Sequence, residues 1–185
     1  VTIMSTGNVI DFGDLITAVR SNAGLGNATR GISFGGKVGP TEVNTIEYVE
    51  IASLGNSADF GDLTSIRSYP TGAANATRGI MFGGVENPLN LNVIDYLTIA
   101  TTGNSYEFGD ISYVNSCAAG ASNHTRAVKM AGQSPNTNAI DYVQIATTGN
   151  AINFGDLNNA ADYLAGAAGQ DRGIAAGGQT PTKLN

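Results

Sequence analysis

Four aspartates close a recurring Phe-Gly-Asp triplet in this 185-residue chain: Asp14, Asp62, Asp110 and Asp156. Three positions before them stand Asp11, Asp59, Glu107 and Asn153, so pairs of side-chain oxygens recur that could ligate calcium or share acid–base work. Calcium needs about six to eight oxygens on a loop bent around the ion, and no EF-hand or nonapeptide calcium pattern surrounds these pairs. Glycoside hydrolysis needs one asymmetric carboxylate pair, whereas here the arrangement is repeated. Four arginines keep step with the triplets: Arg30, Arg78, Arg126 and Arg172. A ring of cations could hold phosphate or sugar. One arginine per repeat, whatever its context, instead predicts a structural role: bonding turn carbonyls or pairing with the aspartates of a neighbouring unit.

The remaining reactive residue types are few. Asn27-Ala28-Thr29, Asn75-Ala76-Thr77 and Asn123-His124-Thr125 are formal N-glycosylation sequons. Asparagine is also a turn residue that bonds its own backbone, and the turn reading is preferred. His124 is the only histidine and sits in that turn, which argues against a histidine-rich copper or zinc site. Cys117 is the only cysteine, so no intrachain disulfide or cysteine metal pair forms; it reads as a small buried hydrophobe in a strand. No nucleophile elbow or phosphate loop is present. The expectation is a protein without catalytic residues, metal or cofactor.

What positions these residues is a repeat. The triplets begin at Phe12, Phe60, Phe108 and Phe154, a period of 48, 48 and 46. Gly-Asn pairs follow it at Gly7-Asn8, Gly55-Asn56, Gly103-Asn104 and Gly149-Asn150. Such a period marks an array of one supersecondary unit whose neighbours complete a shared core. Hydrophobic residues at 42 % against 13 % charged imply a folded chain. A net charge of −6 without any basic run argues against nucleic acid. No apolar stretch reaches the ~18 residues of a membrane span, so no membrane insertion is expected. The chain begins at Val1, inside a repeat, and is read as processed or as part of a longer product.

Each unit reads as four strands with no helical period. Residues 45–51 alternate polar and apolar, the mark of a half-buried strand. A short strand over 59–63, a small-residue strand over 68–74 and an apolar strand over 79–84 ending in two glycines follow. Ala73-Ala74, Ala118-Ala119 and Ala167-Ala168 suit a crowded inner strand where several sheets converge on an axis. The ends match in phase. Val1-Thr2-Ile3 corresponds to Val49-Glu50-Ile51, and Thr182-Lys183-Leu184-Asn185 stops where Asn44, Asn92 and Asn138 stand. This predicts one domain over 1–185, in units 1–36, 37–84, 85–132 and 133–185, closed by the N-terminal strand so that no edge is left free.

In this order the repeat resembles the kelch motif of galactose-oxidase-like propellers. The double glycines are Gly35-Gly36, Gly83-Gly84 and Gly177-Gly178, with Ala131-Gly132 in the third copy. Tyr48, Tyr96 and Tyr142 supply the aromatic, and Phe60, Phe108 and Phe154 stand where the family places tryptophan. Strings such as those at 140–150 and 154–157 are closer still to repeats in structural proteins of tailed, especially marine, bacteriophages. The resemblance implies an all-β propeller of four four-stranded blades. It further implies a non-enzymatic virion, fibre or appendage protein within a larger assembly, with other virion proteins or a host-surface glycan as partners. The alternative is a secreted or cell-surface carbohydrate-binding lectin, with Tyr69, Tyr113 and Tyr163 as stacking candidates.

Comparing copies separates constant turns from variable ones. The connections at 37–42, 85–91 and 133–137 vary, as do the segments after Phe-Gly-Asp. There Arg20, Arg67, Asn115 and Asp162 are aligned at one phase, and Asn22, Tyr69, Cys117 and Leu164 at another. Loops on a rigid scaffold carry specificity. The expected binding face is therefore Arg20, Asn22, Lys37, Arg67, Tyr69, Asn90, Tyr113, Asn115, Asp162 and Tyr163.

Overall fold

The computed structural model describes residue 4 and residues 6–179, and the architecture is all-β. In the first sheet, β1 (Ala23–Gly26) and β2 (Arg30–Phe34) form a hairpin. A small ribbon of β3 (Lys37–Val38) and β4 (Thr41–Glu42) follows, and β5 (Thr45–Glu50) and β6 (Ala58–Asp62) complete the antiparallel order β1-β2-β5-β6. The second sheet repeats this with β7 (Thr71–Ala74), β8 (Arg78–Phe82), the ribbon β9 (Val85–Glu86) and β10 (Leu89–Asn90), then β11 (Val93–Thr98) and β12 (Tyr106–Asp110). The third consists of β13 (Ala119–Ser122), β14 (Arg126–Gly132), β15 (Thr137–Gln144) and β16 (Ile152–Asp156). Here no separate ribbon forms. Ten residues separate Gly84 from Ile94 but only eight separate Gly132 from Ile140, which accounts for the short 46-residue interval. The hairpin β17 (Ala165–Ala168) and β18 (Gly173–Ala176) begins a fourth unit.

Each sheet takes two strands from either side of the unit boundaries read at 36, 84 and 132. The core lies between sheets, as the repeat requires. Ile32, Phe34, Ile46 and Phe60 of the first sheet, with Leu63 just after it, bury against Met81, Leu97 and Ile99 on and beside the second. Phe82, Ile94 and Phe108 of the second sheet, with Ile111 just after it, bury against Ala127, Val143 and Ile145 on and beside the third. Each of these side chains except Ala127 contributes roughly 1.5–3 kcal/mol on burial, and no sheet could gather these contacts alone.

The inner strands β1, β7, β13 and β17 pack in succession, and only glycine lets them come so close. A Cβ on Gly72 would lie 2.9 Å from the Gly24 carbonyl; on Gly120 it would overlap the Gly72 carbonyl, and on Gly166 that of Gly120. The small-residue strand is thus an inner strand because backbone meets backbone there. The sheets also converge. The Tyr69 and Tyr163 rings, two units apart, meet edge to face with centroids 6.2 Å apart. At the opposite strand ends, the turns 26–28, 74–76, 122–124 and 168–170 line one cavity of about 330 Å³.

The expected closure is not seen. Among the described residues, β17 and β18 remain a two-stranded sheet, and 6–14 form no strand. Residues 12–17 stay on the first sheet instead: the Gly55 and Ser57 amides donate to the Phe12 and Asp14 carbonyls at 2.8 and 2.9 Å. The matched ends at 1–3 and 182–185 lie outside the described residues.

Candidate functional site

The constant motifs are consumed in joining units. The amides of Asp14, Asp62 and Asp110 donate to Oδ1 of Asn56, Asn104 and Asn150 in the next unit at 3.0–3.1 Å. Among the described residues the arginines do not pair with these aspartates; of the two expected roles, bonding carbonyls of the neighbouring unit is the one seen. Arg30, Arg78 and Arg126 stack over Tyr48, Tyr96 and Tyr142 at 4.5–4.7 Å. Arg30 and Arg78 also donate across the interface to the carbonyls of Ile99 and Ile145 at 2.9 and 3.0 Å. The only carboxylate Arg30 meets among the described residues is Glu50, at 2.8 Å. Asn27, Asn75 and Asn123 each accept from the amide two residues on at 2.9 Å, as turn asparagines do. His124 is exposed, and its carbonyl accepts from Asn75 Nδ2 at 3.0 Å.

A second column of carboxylates went unread in the sequence. Glu47, Asp95 and Asp141 sit at equivalent places in β5, β11 and β15, and all three are buried. The alternating pattern of 45–51 implied a wet face, but the segment after the preceding triplet covers it. The signal was there: an acid between apolar and aromatic neighbours in all three copies. Each acid caps the segment after the preceding triplet. Glu47 accepts from the Ile16 and Thr17 amides at 2.9 and 3.0 Å, and Asp95 from the Thr64 amide at 3.0 Å. Asp141 accepts from Ser112 Oγ at 2.6 Å.

The compensating cation changes place between interfaces. Arg67 reaches Asp95 with Nη2 at 3.0 Å, and both side chains are fully buried. Burial pulls the Arg67 guanidinium below its usual range, opposed by Asp95. Asn115 holds the Arg67 position in the next unit, and there Lys129 enters from β14, paired with Asp141 across the strands. Its Nζ has no hydrogen-bond partner. Burial lowers the Lys129 ammonium from 10.5 to about 8, against the pull of Asp141. Its folded value lies below its unfolded one, so the unfolded chain holds more protons between these pH values. Stability should therefore rise with pH from about 8 toward 10.5, by at most about 1.4 kcal/mol per unit. Thermal melts across that window should show the slope in the parent protein and a flatter profile for Lys129→Met.

The expected binding face divides. Arg67, Asn115 and Asp162 are buried, so their side chains are part of the joints between units rather than an exposed surface. Arg20, Asn22, Tyr113 and Tyr163 are exposed, while Lys37, Tyr69 and Asn90 are half-buried. The alignment also shifts by one residue. Bridges join Arg20, Ser68, Ser116 and Asp162 to Lys37, Val85, Gln133 and Gln179, so those four share a phase. The next position holds Ser21, Tyr69, Cys117 and Tyr163, all in the left-handed region with φ of 53–57°. Their backbones form a chain, with amides of Tyr69, Cys117 and Tyr163 donating to Ser21, Tyr69 and Cys117 carbonyls at 2.7, 3.2 and 2.9 Å. Non-glycine residues held at positive φ are strained, and such strain collects at constrained or functional places. Tyr69 and Tyr163 thus share one phase, and Tyr113 stands apart. Cys117 is buried just before β13, not within a strand, and burial pushes its thiol up. The neighbouring Cys117 thiol and partial burial raise the Tyr163 phenol to about 12.

Around this double-glycine end lie the exposed polar groups. Arg20 donates to the Gly39 carbonyl at 2.8 Å, Asn22 to Ser33 Oγ at 2.8 Å, and Lys37 pairs with Glu42 at 2.9 Å. Ser116 Oγ donates to Asn90 Oδ1 at 2.8 Å. Lys37 Nζ stands 6.0 Å from the Tyr69 ring centre. The result is a small aromatic and cationic patch on a rigid base. No protein-family model matches the chain, and no curated protein matches it.

Proposed function

We propose that the sheets are blades of a kelch-like β-propeller and that the chain is a non-enzymatic structural, fibre or appendage component of a bacteriophage particle. Its double-glycine end would meet a neighbouring virion protein or a host-surface glycan. One observation carries this reading: the repeated acids, arginines and asparagines are spent on joints between units, while Arg20, Asn22 and Tyr163, at positions that differ between copies, lie exposed. The resemblance of 140–150 to phage structural repeats supports the setting. Immunogold labelling with serum raised against the chain is the test. Gold on tails or appendages of purified particles is expected; protein confined to the particle-free secreted fraction would overturn the proposal.

A lectin is the second reading, favoured by the Tyr69–Tyr163 pair beside Lys37. It requires sub-millimolar binding on a glycan array that Tyr163→Ala abolishes. Silence across a broad array rejects it.

A further inference from the structure

The joint between the second and third sheets buries a donor and an acceptor that meet no partner. Lys129 and Asn115 are each 1 % exposed. Among the described residues, Lys129 Nζ and Asn115 Oδ1 have no hydrogen-bond partner. A buried polar atom left unpaired costs about 1–3 kcal/mol, and here two complementary ones lie in one joint with a buried acid, Asp141.

The joint between the first and second sheets shows the same place fully bonded. Arg67 runs past Gly84, where an added Cβ would stand 3.4 Å from Arg67 Cδ, and ends on Asp95 at 3.0 Å. Asp95 also accepts from the Thr64 amide at 3.0 Å, from Thr64 Oγ1 at 2.7 Å and from Ser105 Oγ at 3.1 Å. Opposite Asp95 on the next strand stands Met81, wholly buried in the apolar core.

Three substitutions strip these bonds from the second joint. Asn115 replaces Arg67 and takes the same path past Gly132, where a Cβ would overlap its Oδ1. It ends well short of where an arginine would, and its Nδ2 is used by the Gln133 carbonyl at 3.2 Å. Ala151 replaces Ser105, so no hydroxyl comes from that side. Lys129 replaces Met81 opposite Asp141, yet the Asp141 oxygens are bonded by the Ser112 amide and hydroxyl at 3.2 and 2.6 Å and not by the ammonium. Polar groups held apart inside a protein are commonly bridged by solvent, and a buried water makes about three hydrogen bonds.

We infer that one water is built into this joint, accepting from Lys129 Nζ and donating to Asp141 and to Asn115 Oδ1. A metal cation does not suit the site, because the ammonium already supplies the positive charge and offers no lone pair. An anion would face the Asp141 carboxylate. The first joint is thus dry and the second wet, although both carry the same acid.

A high-resolution crystal structure should show one solvent peak about 3 Å from Nζ, an Asp141 oxygen and Asn115 Oδ1. Asn115→Arg with Lys129→Met copies Arg67 and Met81 into the second joint. By magnetic relaxation dispersion of the water nuclei, this variant should hold one long-lived internal water fewer than the parent, with its β-sheet circular dichroism unchanged. A direct contact of Nζ with Asp141 or Asn115 and no solvent peak between them, or equal water counts in parent and variant, would each overturn the inference. If the variant does not fold, the parent crystal structure decides alone.

Discussion

Gly120→Ala should be among the most damaging single substitutions in the chain. The added methyl would overlap the Gly72 carbonyl, with Thr71 Oγ1 at 3.1 Å behind it. Backbone cannot swing away as a side chain can, because β7 is held by β8 and by the next glycine contact to Gly24. Overpacking usually costs about 1–3 kcal/mol, and an immovable neighbour places this site at about 3 kcal/mol or more. In a chain of this size that lowers Tm by roughly 6–12 °C. Gly169→Ala is the matched control, since a Cβ there meets nothing within 4 Å; it should stay within about 0.5 kcal/mol. Urea denaturation of both variants checks the difference. Equal stability would mean that the inner strands do not touch.

Asp95→Ala should have the second large effect. It strips the partner from Arg67, whose side chain is fully buried, and leaves the Thr64 amide and Ser105 Oγ without their acceptor. Removing one member of a buried pair costs about 3–5 kcal/mol, because the remaining charge is stranded. Asp95→Ala with Arg67→Met should recover part of the loss by removing that charge. It should not recover all of it, since the amide cap stays broken. A double-mutant cycle measures the coupling. A loss under about 1 kcal/mol for Asp95→Ala would show that the pair is hydrated rather than buried.

These two sites mark what could and could not be seen in advance. The inner strand was legible from Ala73-Ala74 and its counterparts, because crowding at an axis excludes bulk in every copy. The Gly-Gly corners were legible for the same reason, with Gly35 and Gly36 at φ of 62° and 110°. Even Ala131 adopts that geometry at φ 57°, the scaffold overriding its side chain. The acid column was not legible from alternation. Period two says that Ile46 and Glu47 face opposite ways, but not that both faces are covered, the second by the segment at 16–17. Nor could the sequence reveal that Arg67 turns inward while Arg20, one position further along its own segment, lies exposed. Both are arginines in equivalent loops of successive repeats, and only the bridges that fix the register tell them apart. Closure by the N-terminal strand followed from phase alone. Phase says which residues match, and cannot say whether the arc bends enough to bring them together.

Everything above depends on the units converging on one axis, so that residues two units apart can touch. Ring-proton NOEs between Tyr69 and Tyr163 probe that convergence without an intermediary. Their centroids are 6.2 Å apart in a T-shaped contact, whereas sheets stacked in a straight line at about 10 Å per step would set them about 20 Å apart. Cross-peaks between the assigned rings are expected, and they should vanish in Tyr163→Leu. Their absence, with both rings assigned and the inner-strand NOEs present, would contradict a convergent array.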